Sequence, residues 1–163
     1  MLTAAVAAAA AAAVAVAAAV AAAAVAAAVA VRRRFLVVTV RGDSMEPTHR
    51  DGERVLARRD GRAAIERGSV VVVEGPDADT LTWSGPPRRP RFGNELLIKR
   101  VLSVPGDPVP RARIPALAGV AEPVVPAGFL VLLGDNQERS FDSKLVGYFP
   151  VERVLGIVIR RLG

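Results

Sequence analysis

The stretch ELLIKRVLSV, residues 95 to 104, sets bulky apolar side chains along a strand-length run and places one lysine in its middle. In an extended chain successive side chains face opposite ways, so Leu97, Lys99 and Val101 fall on one face. Working outward, the same kind of run recurs as FLVVTVR (35–41), ERVLAR (53–58), SVVVVE (69–74), GFLVLLG (128–134) and RVLGIVIRR (153–161). Glycine, proline and aspartate separate these runs, with sharp reversals marked by HRDGE (49–53), PGDP (105–108) and GDN (134–136). After Val31 no long segment carries a helical period. The pattern predicts an all-β domain, mainly antiparallel, closed as a barrel or sandwich. The segment 75–94 is too rich in proline and glycine for a strand and is expected to be a surface loop. No internal repeat is apparent.

The first part of the chain is of another kind. From Ala4 to Val31 every residue is Ala or Val, seven of them Val. As a helix this run reaches about 42 Å, against roughly 30 Å for the hydrocarbon core of a bilayer. The expectation is one transmembrane helix over residues 1–31 and a β-rich domain over residues 32–163. Alanine is only weakly hydrophobic, so insertion rests on length and on the valines. A cleavable secretory signal fits less well, because no basic segment precedes the run and it is about twice a normal signal core. Arg32, Arg33 and Arg34 follow the span directly and suit anionic lipid phosphates. By the positive-inside tendency they would also hold the following domain in the cytoplasm.

Composition removes several kinds of chemistry. The chain has no cysteine, so disulfides, thiolate nucleophiles and cysteine zinc sites are excluded, and a single histidine argues against any zinc centre. No metal and no other cofactor is implied. The net charge of +6 comes from arginine: of 22 basic residues only Lys99 and Lys144 are lysines. Such an excess fits an anionic surface, but no nucleic-acid-binding signature accompanies it and aromatic residues for base stacking make up 4%. Nucleic acid is not an expected partner; the lipid bilayer is. Trp83 and the nearby Arg88, Arg89 and Arg91 either lean on the membrane interface or belong to a solvated loop with one packed indole.

One serine invites a chemical question. Ser44, in RGDSMEPTHRDGERVLAR (41–58), sits between an acid and a methionine ahead of a proline turn. A serine nucleophile needs a base within hydrogen-bond reach, usually His, sometimes the neutral amine of Lys. His49 lies across the proline turn, which is expected to direct it to solvent. Lysine is the better candidate, since arginine keeps its proton in proteins whereas a buried lysine is readily depressed. Lys99 is a lysine in an apolar strand of a chain that otherwise writes arginine. Against this stands the commoner fate of a lysine, with its head in water.

Three segments in order, GDSMEPT (42–48), IKRVLSVPGD (98–107) and GDNQERSFDS (134–143), lie behind the apolar span and together resemble the type I signal peptidase family, Ser/Lys proteases of the membrane. The resemblance implies a signal-peptidase β-domain with Ser44 as nucleophile and Lys99 as general base. It implies that Met45 and Pro47 shape the bend presenting the serine, with Gly42 and Asp43 before it. In the third segment Ser140 matches the serine that hydrogen-bonds the base lysine and Asp142 the acid that steadies the site, while Gly134, Asp135 and Asn136 form the turn behind. Two positions depart from the pattern. Gly42 replaces an oxyanion-binding hydroxyl found in some relatives, leaving that task to backbone N–H groups, and Lys144 stands where arginine is usual. Residues 108–133 are too few for the second β-domain of bulkier relatives.

The implied substrates are precursor proteins whose signal peptides end in an Ala-x-Ala pattern, bound as an added strand and cleaved by acyl transfer, on the extracytoplasmic side of the cell membrane. The chain's own alanine tract offers such triplets. Other readings are a dedicated maturation protease acting on one or few partners, a self-cleaving regulator, which lacks a DNA-binding domain here, and a non-catalytic membrane-tethered β-domain. The oligomeric state is not set by these residues.

Overall fold

The computed structural model describes residues 2–59, 61–83, 85–87 and 96–162, the side chains of 2–13 and of residue 63 excepted. The chain divides into two compact units, Met1–Arg34 and Phe35–Gly163. The first is a single helix, α1 (Leu2–Arg34), which continues through Arg32–Arg34 instead of stopping at Val31. Arginine is a good helix former, and cations are favoured near the carbonyl end of a helix. Its Val14–Arg34 portion is long and apolar enough to cross a bilayer, with a mean hydropathy of 2.6.

The second unit is built on one curled antiparallel sheet of seven strands. These are β1 (Phe35–Thr39), β2 (Arg54–Arg58), β3 (Val70–Glu74), β4 (Leu96–Ser103), β5 (Phe129–Leu133), β6 (Phe149–Pro150) and β7 (Val154–Leu162), in the order β1-β2-β7-β3-β4-β5-β6. All six apolar runs in the sequence form strands. The two-residue β6 and a one-turn helix, α2 (Ser143–Val146), are additional. Both are shorter than any periodicity can register.

Alternation along the strands sorts the valines into separate cores. Val72 and Ile98, paired across β3 and β4, join Val40, Met45, Val55, Ala57 and Leu155 on one face. Val71, Val73 and Val101 join Leu130, Leu132, Phe149 and Val154 on the other. A third cluster, with Val109, Ile114, Leu117 and Val125, covers Val131 and Leu133 of β5. Each fully buried valine or leucine contributes about 1.5–3 kcal/mol relative to exposure, so these faces hold the register.

Trp83 belongs to the fold and not to a surface anchor. Its indole N–H donates to the Glu74 carbonyl at 3.0 Å, and its ring meets Phe149 edge-on with centroids 5.4 Å apart. Arg153, 4% exposed, pairs with Glu74 at 3.2 Å and also donates to the Gly85 carbonyl, which ties this part of the 75–94 loop to the sheet. Arg88, Arg89 and Arg91 lie outside the described residues.

Two features of the sheet prepare the site. β4 pairs with β3 along Leu96–Arg100, but β5 joins its other side only from Arg100 onward. Leu96 to Lys99 therefore keep a free edge among the described residues. β1, at the end of the strand order, pairs only with β2 among the described residues and has a free edge of its own.

Candidate active site

Ser44 is carried on the connection between β1 and β2. Val40 N–H donates to the Glu53 carbonyl at 2.7 Å and Gly52 N–H returns to the Val40 carbonyl at 3.0 Å, closing the base of this connection. Within it, Gly42 takes a positive φ of 74°, Met45 is 1% exposed, and the Glu46–Pro47 peptide bond is cis. The buried Met45 pins the turn to the first core, and Ser44 is held beside it.

Lys99 comes to meet the serine from β4. Its Nζ donates to Ser44 Oγ at 2.9 Å, across 55 positions of sequence. Lys99 is 2% exposed, among the largest fully buried side chains of the chain, on the strand face it shares with Leu97 and Val101. Burial pushes its amine down to about 8; Asp142 and Asp135 pull it up, and Lys144 helps to lower it. An amine so placed is neutral over part of the ordinary pH range and can accept the serine's proton.

The GDN turn and the segment after it hold the two halves together. Asn136 N–H donates to the Ser44 carbonyl at 3.0 Å. A Cβ on Gly134 would lie 2.5 Å from that carbonyl oxygen and 2.2 Å from Ser140 Oγ, so only glycine lets the serine turn and Ser140 close over it. Asp135 accepts two hydrogen bonds from the Arg100 guanidinium, both at 2.7 Å, and one from the Thr48 hydroxyl. Burial raises its carboxyl, but these donors outweigh burial and keep it below the usual aspartate value. Asp135 thereby clamps β4, next to Lys99, to the serine turn. Thr48 and Arg100 were not singled out from sequence; strand alternation, which puts Arg100 on the face opposite Lys99, is the signal that could have found the second.

Asp142 is fully buried. It accepts from the Gly134 N–H at 3.0 Å, from the Lys144 N–H at 3.0 Å as the N-cap of α2, and from Lys144 Nζ at 2.8 Å. Burial pushes its carboxyl up, yet Lys144 and these N–H groups outweigh that and leave it below the ordinary value. The cation at position 144 is thus engaged, with one ammonium contact in place of a guanidinium fork. Ser140 Oγ is buried beside Asp142 and over Gly134, near enough to favour the carboxylate, but closes no hydrogen bond of normal geometry and none to Lys99. Asp43 is paired with Arg139 at the rim.

His49 corrects one expectation. It is 8% exposed rather than turned to solvent, with Nδ1 3.7 Å from Glu53 Oε2. The turn folds back through the His49 N–H to Met45 carbonyl bond and carries the ring inward. Contact with Ser44 is made by Lys99 instead. Among the described residues no cluster of side chains suits a metal ion.

Comparison with known proteins identifies the family. The family described as signal peptidase, peptidase S26, matches residues 12–113 and 110–162. The signal peptidase IB of Staphylococcus aureus (strain Mu50 / ATCC 700699) is 28% identical over 163 residues, covering 77% of each chain. The chloroplastic thylakoidal processing peptidase 1 of Arabidopsis thaliana is 29% identical over 135 residues, 69% of this chain and 37% of its own. A crystal structure of a signal peptidase I from Enterococcus faecalis V583 aligns with a TM-score of 0.37 at 19% identity, over 58% of this chain and 97% of that one. Since the match runs through the helix, the serine turn, the lysine strand and the GDN turn alike, this chain belongs to the signal peptidase family, peptidase S26.

Proposed function

We propose that this chain is a membrane-tethered serine endopeptidase that removes N-terminal signal peptides from secreted precursors, with Ser44 as nucleophile and Lys99 as general base. The observation that carries the reading is the 2.9 Å contact between Ser44 Oγ and a lysine amine that is 2% exposed. The neutral amine takes the hydroxyl proton as Oγ attacks the scissile carbonyl carbon. The ammonium then returns that proton to the departing amine of the mature chain. Lys99 next activates a water that hydrolyses the acyl-enzyme and frees the serine. The Ser44 N–H donates to no described group and is available to the developing oxyanion, where a well-aimed donor contributes about 3–4 kcal/mol.

Substrate geometry follows from the sheet. The C-terminal end of β1 and the free edge of β4 flank a slot lined by Thr39, Val40, Arg41, Ser44, Met45 and Leu96–Lys99. An extended peptide entering it acquires backbone partners as an added strand. The enclosed space there is about 40 Å³, enough for a group of methyl size and too little for a bulky side chain. This favours alanine beside the cleaved bond. We further propose that the β-domain lies on the extracytoplasmic side, where signal peptides emerge, against the positive-inside tendency of Arg32–Arg34, which would then face the headgroups of the outer leaflet.

Cleavage of a purified precursor ending its signal in Ala-x-Ala tests the reading, with detergent-solubilised wild type, Ser44→Ala, Lys99→Ala and Lys99→Arg. Wild type alone is expected to cut, directly after the triplet. Inactivity of Lys99→Arg marks a removable proton, and not charge, as the requirement. A folded wild type that leaves the precursor whole would refute the reading.

A further inference from the structure

A second and wider cavity, of about 390 Å³, opens beside Pro47 and Thr48 of the serine turn. Its walls include Pro47, Thr48, Arg100, Leu102, Arg113 and Gln137. We propose that this cleft receives the first residues of the mature chain, beyond the scissile bond, and that Arg113 selects an acidic side chain there. The inference rests on the peptidase reading above and adds the specificity of its leaving side.

Position comes first. The narrow slot lies along Leu96–Lys99 of β4 and the cleft along Arg100–Leu102 of the same strand. Pro47 and Thr48 follow Ser44 in one turn, and Gly134, which also lines the cleft, touches the Ser44 carbonyl. A peptide that follows the free edge of β4 and crosses Ser44 therefore leaves the slot into this cleft. The change from about 40 to about 390 Å³ on crossing the serine matches a site strict before the cleaved bond and permissive after it.

Charge comes second. Asp135 lines the cleft, but its carboxylate is already engaged by Arg100 and Thr48. The Arg113 guanidinium makes no hydrogen bond or ion pair with any described residue. With the Arg100–Asp135 pair neutral as a unit, the cleft presents one uncompensated cation among the described residues, complementary to Asp or Glu and repelling Lys or Arg.

The test uses the full chain in detergent and precursors identical up to the cleaved bond, carrying Glu, Gln or Lys at each of the first three positions beyond it. For wild type, Glu at one of these positions is expected to exceed Lys by about three- to tenfold in kcat/KM, as suits a solvent-accessible pair. Arg113→Gln should abolish the preference and Arg113→Glu should reverse it. Raising the salt should shrink the wild-type preference. Equal rates for Glu, Gln and Lys, or a preference that survives Arg113→Glu, would overturn the cleft assignment and leave the peptidase reading standing. Failure of wild type on every precursor would overturn both.

Discussion

Replacing Lys99 by methionine removes the amine while keeping a flexible side chain of similar length, and its effect on stability has a sign fixed by burial. In the folded chain the amine titrates near 8, against an ordinary 10.5. Between those values the unfolded chain holds the proton and the folded chain has released it, so stability rises with pH through that window. The gap, at about 1.4 kcal/mol per pH unit, amounts to about 3 kcal/mol. With Lys99 only 2% exposed, solvent screening does little to reduce it. Other titrating groups are common to both proteins, so the difference between wild type and Lys99→Met isolates this one. Urea unfolding of the detergent-solubilised chain, followed by the single Trp83, is the assay. The variant's advantage over wild type should be constant below about pH 8 and should fall by about 3 kcal/mol by pH 10.5. As the proposed base, the same amine should make wild-type kcat/KM climb tenfold per pH unit below about 8 and level off above it. Parallel stability curves, or a rate profile that breaks near 10.5, would refute the assignment of a buried, depressed lysine.

Gly134→Ala should cut activity at least a hundredfold and cost about 1–3 kcal/mol, because the new methyl meets the Ser44 carbonyl and Ser140; cleavage rate and urea midpoint together read it. Asp142→Asn should lower stability by about 1–3 kcal/mol at pH 7, through weaker acceptance from Gly134 and Lys144. Since the Asp142 carboxyl sits below its ordinary value, that difference should narrow as acid protonates it, and unfolding at pH 7 and pH 3 checks the sign. Glu74→Gln removes the buried counter-charge of Arg153, leaving it the exposed Glu152 at 3.9 Å, and should cost about 3–5 kcal/mol, measured by thermal unfolding with Trp83 as reporter.

Much of the fold was legible because its strands are valine-rich runs bounded by glycine, proline and aspartate. SVVVVE and ELLIKRVLSV needed no tertiary knowledge to be read as strands, and their alternation already placed Leu97, Lys99 and Val101 together. What escaped was either too short to have a period, such as Phe149–Pro150 and Ser143–Val146, or owed its place to contacts between distant segments. His49 is the clear case: a polar residue after a proline turn reads as exposed, and only the folding back of that turn buries it. At the site, the contrast between two lysines and a chain full of arginine singled out Lys99 on chemical grounds. The Thr48–Asp135–Arg100 clamp left no such mark, since each member is an ordinary surface residue until the turn and the strand are brought together.

The general-base role proposed for Lys99 carries conflicting needs, because the amine must be dry enough to lose its proton and yet reach a serine that an outside peptide can approach. Burial comes from the face of β4, where Lys99 stands opposite Val71 and beside Val101. Access comes from the edge of the same strand. β5 pairs from Arg100 onward and stops one residue short of Lys99, where Gly134 turns the chain beneath the Ser44 carbonyl. Were the ladder one residue longer, β5 would cover the edge that the proposed substrate strand requires. Were it shorter, Gly134 and Asn136 would no longer support the serine turn. The glycine that ends β5 thus sets both conditions, which is why its replacement is expected to cost more in rate than its modest stability loss implies.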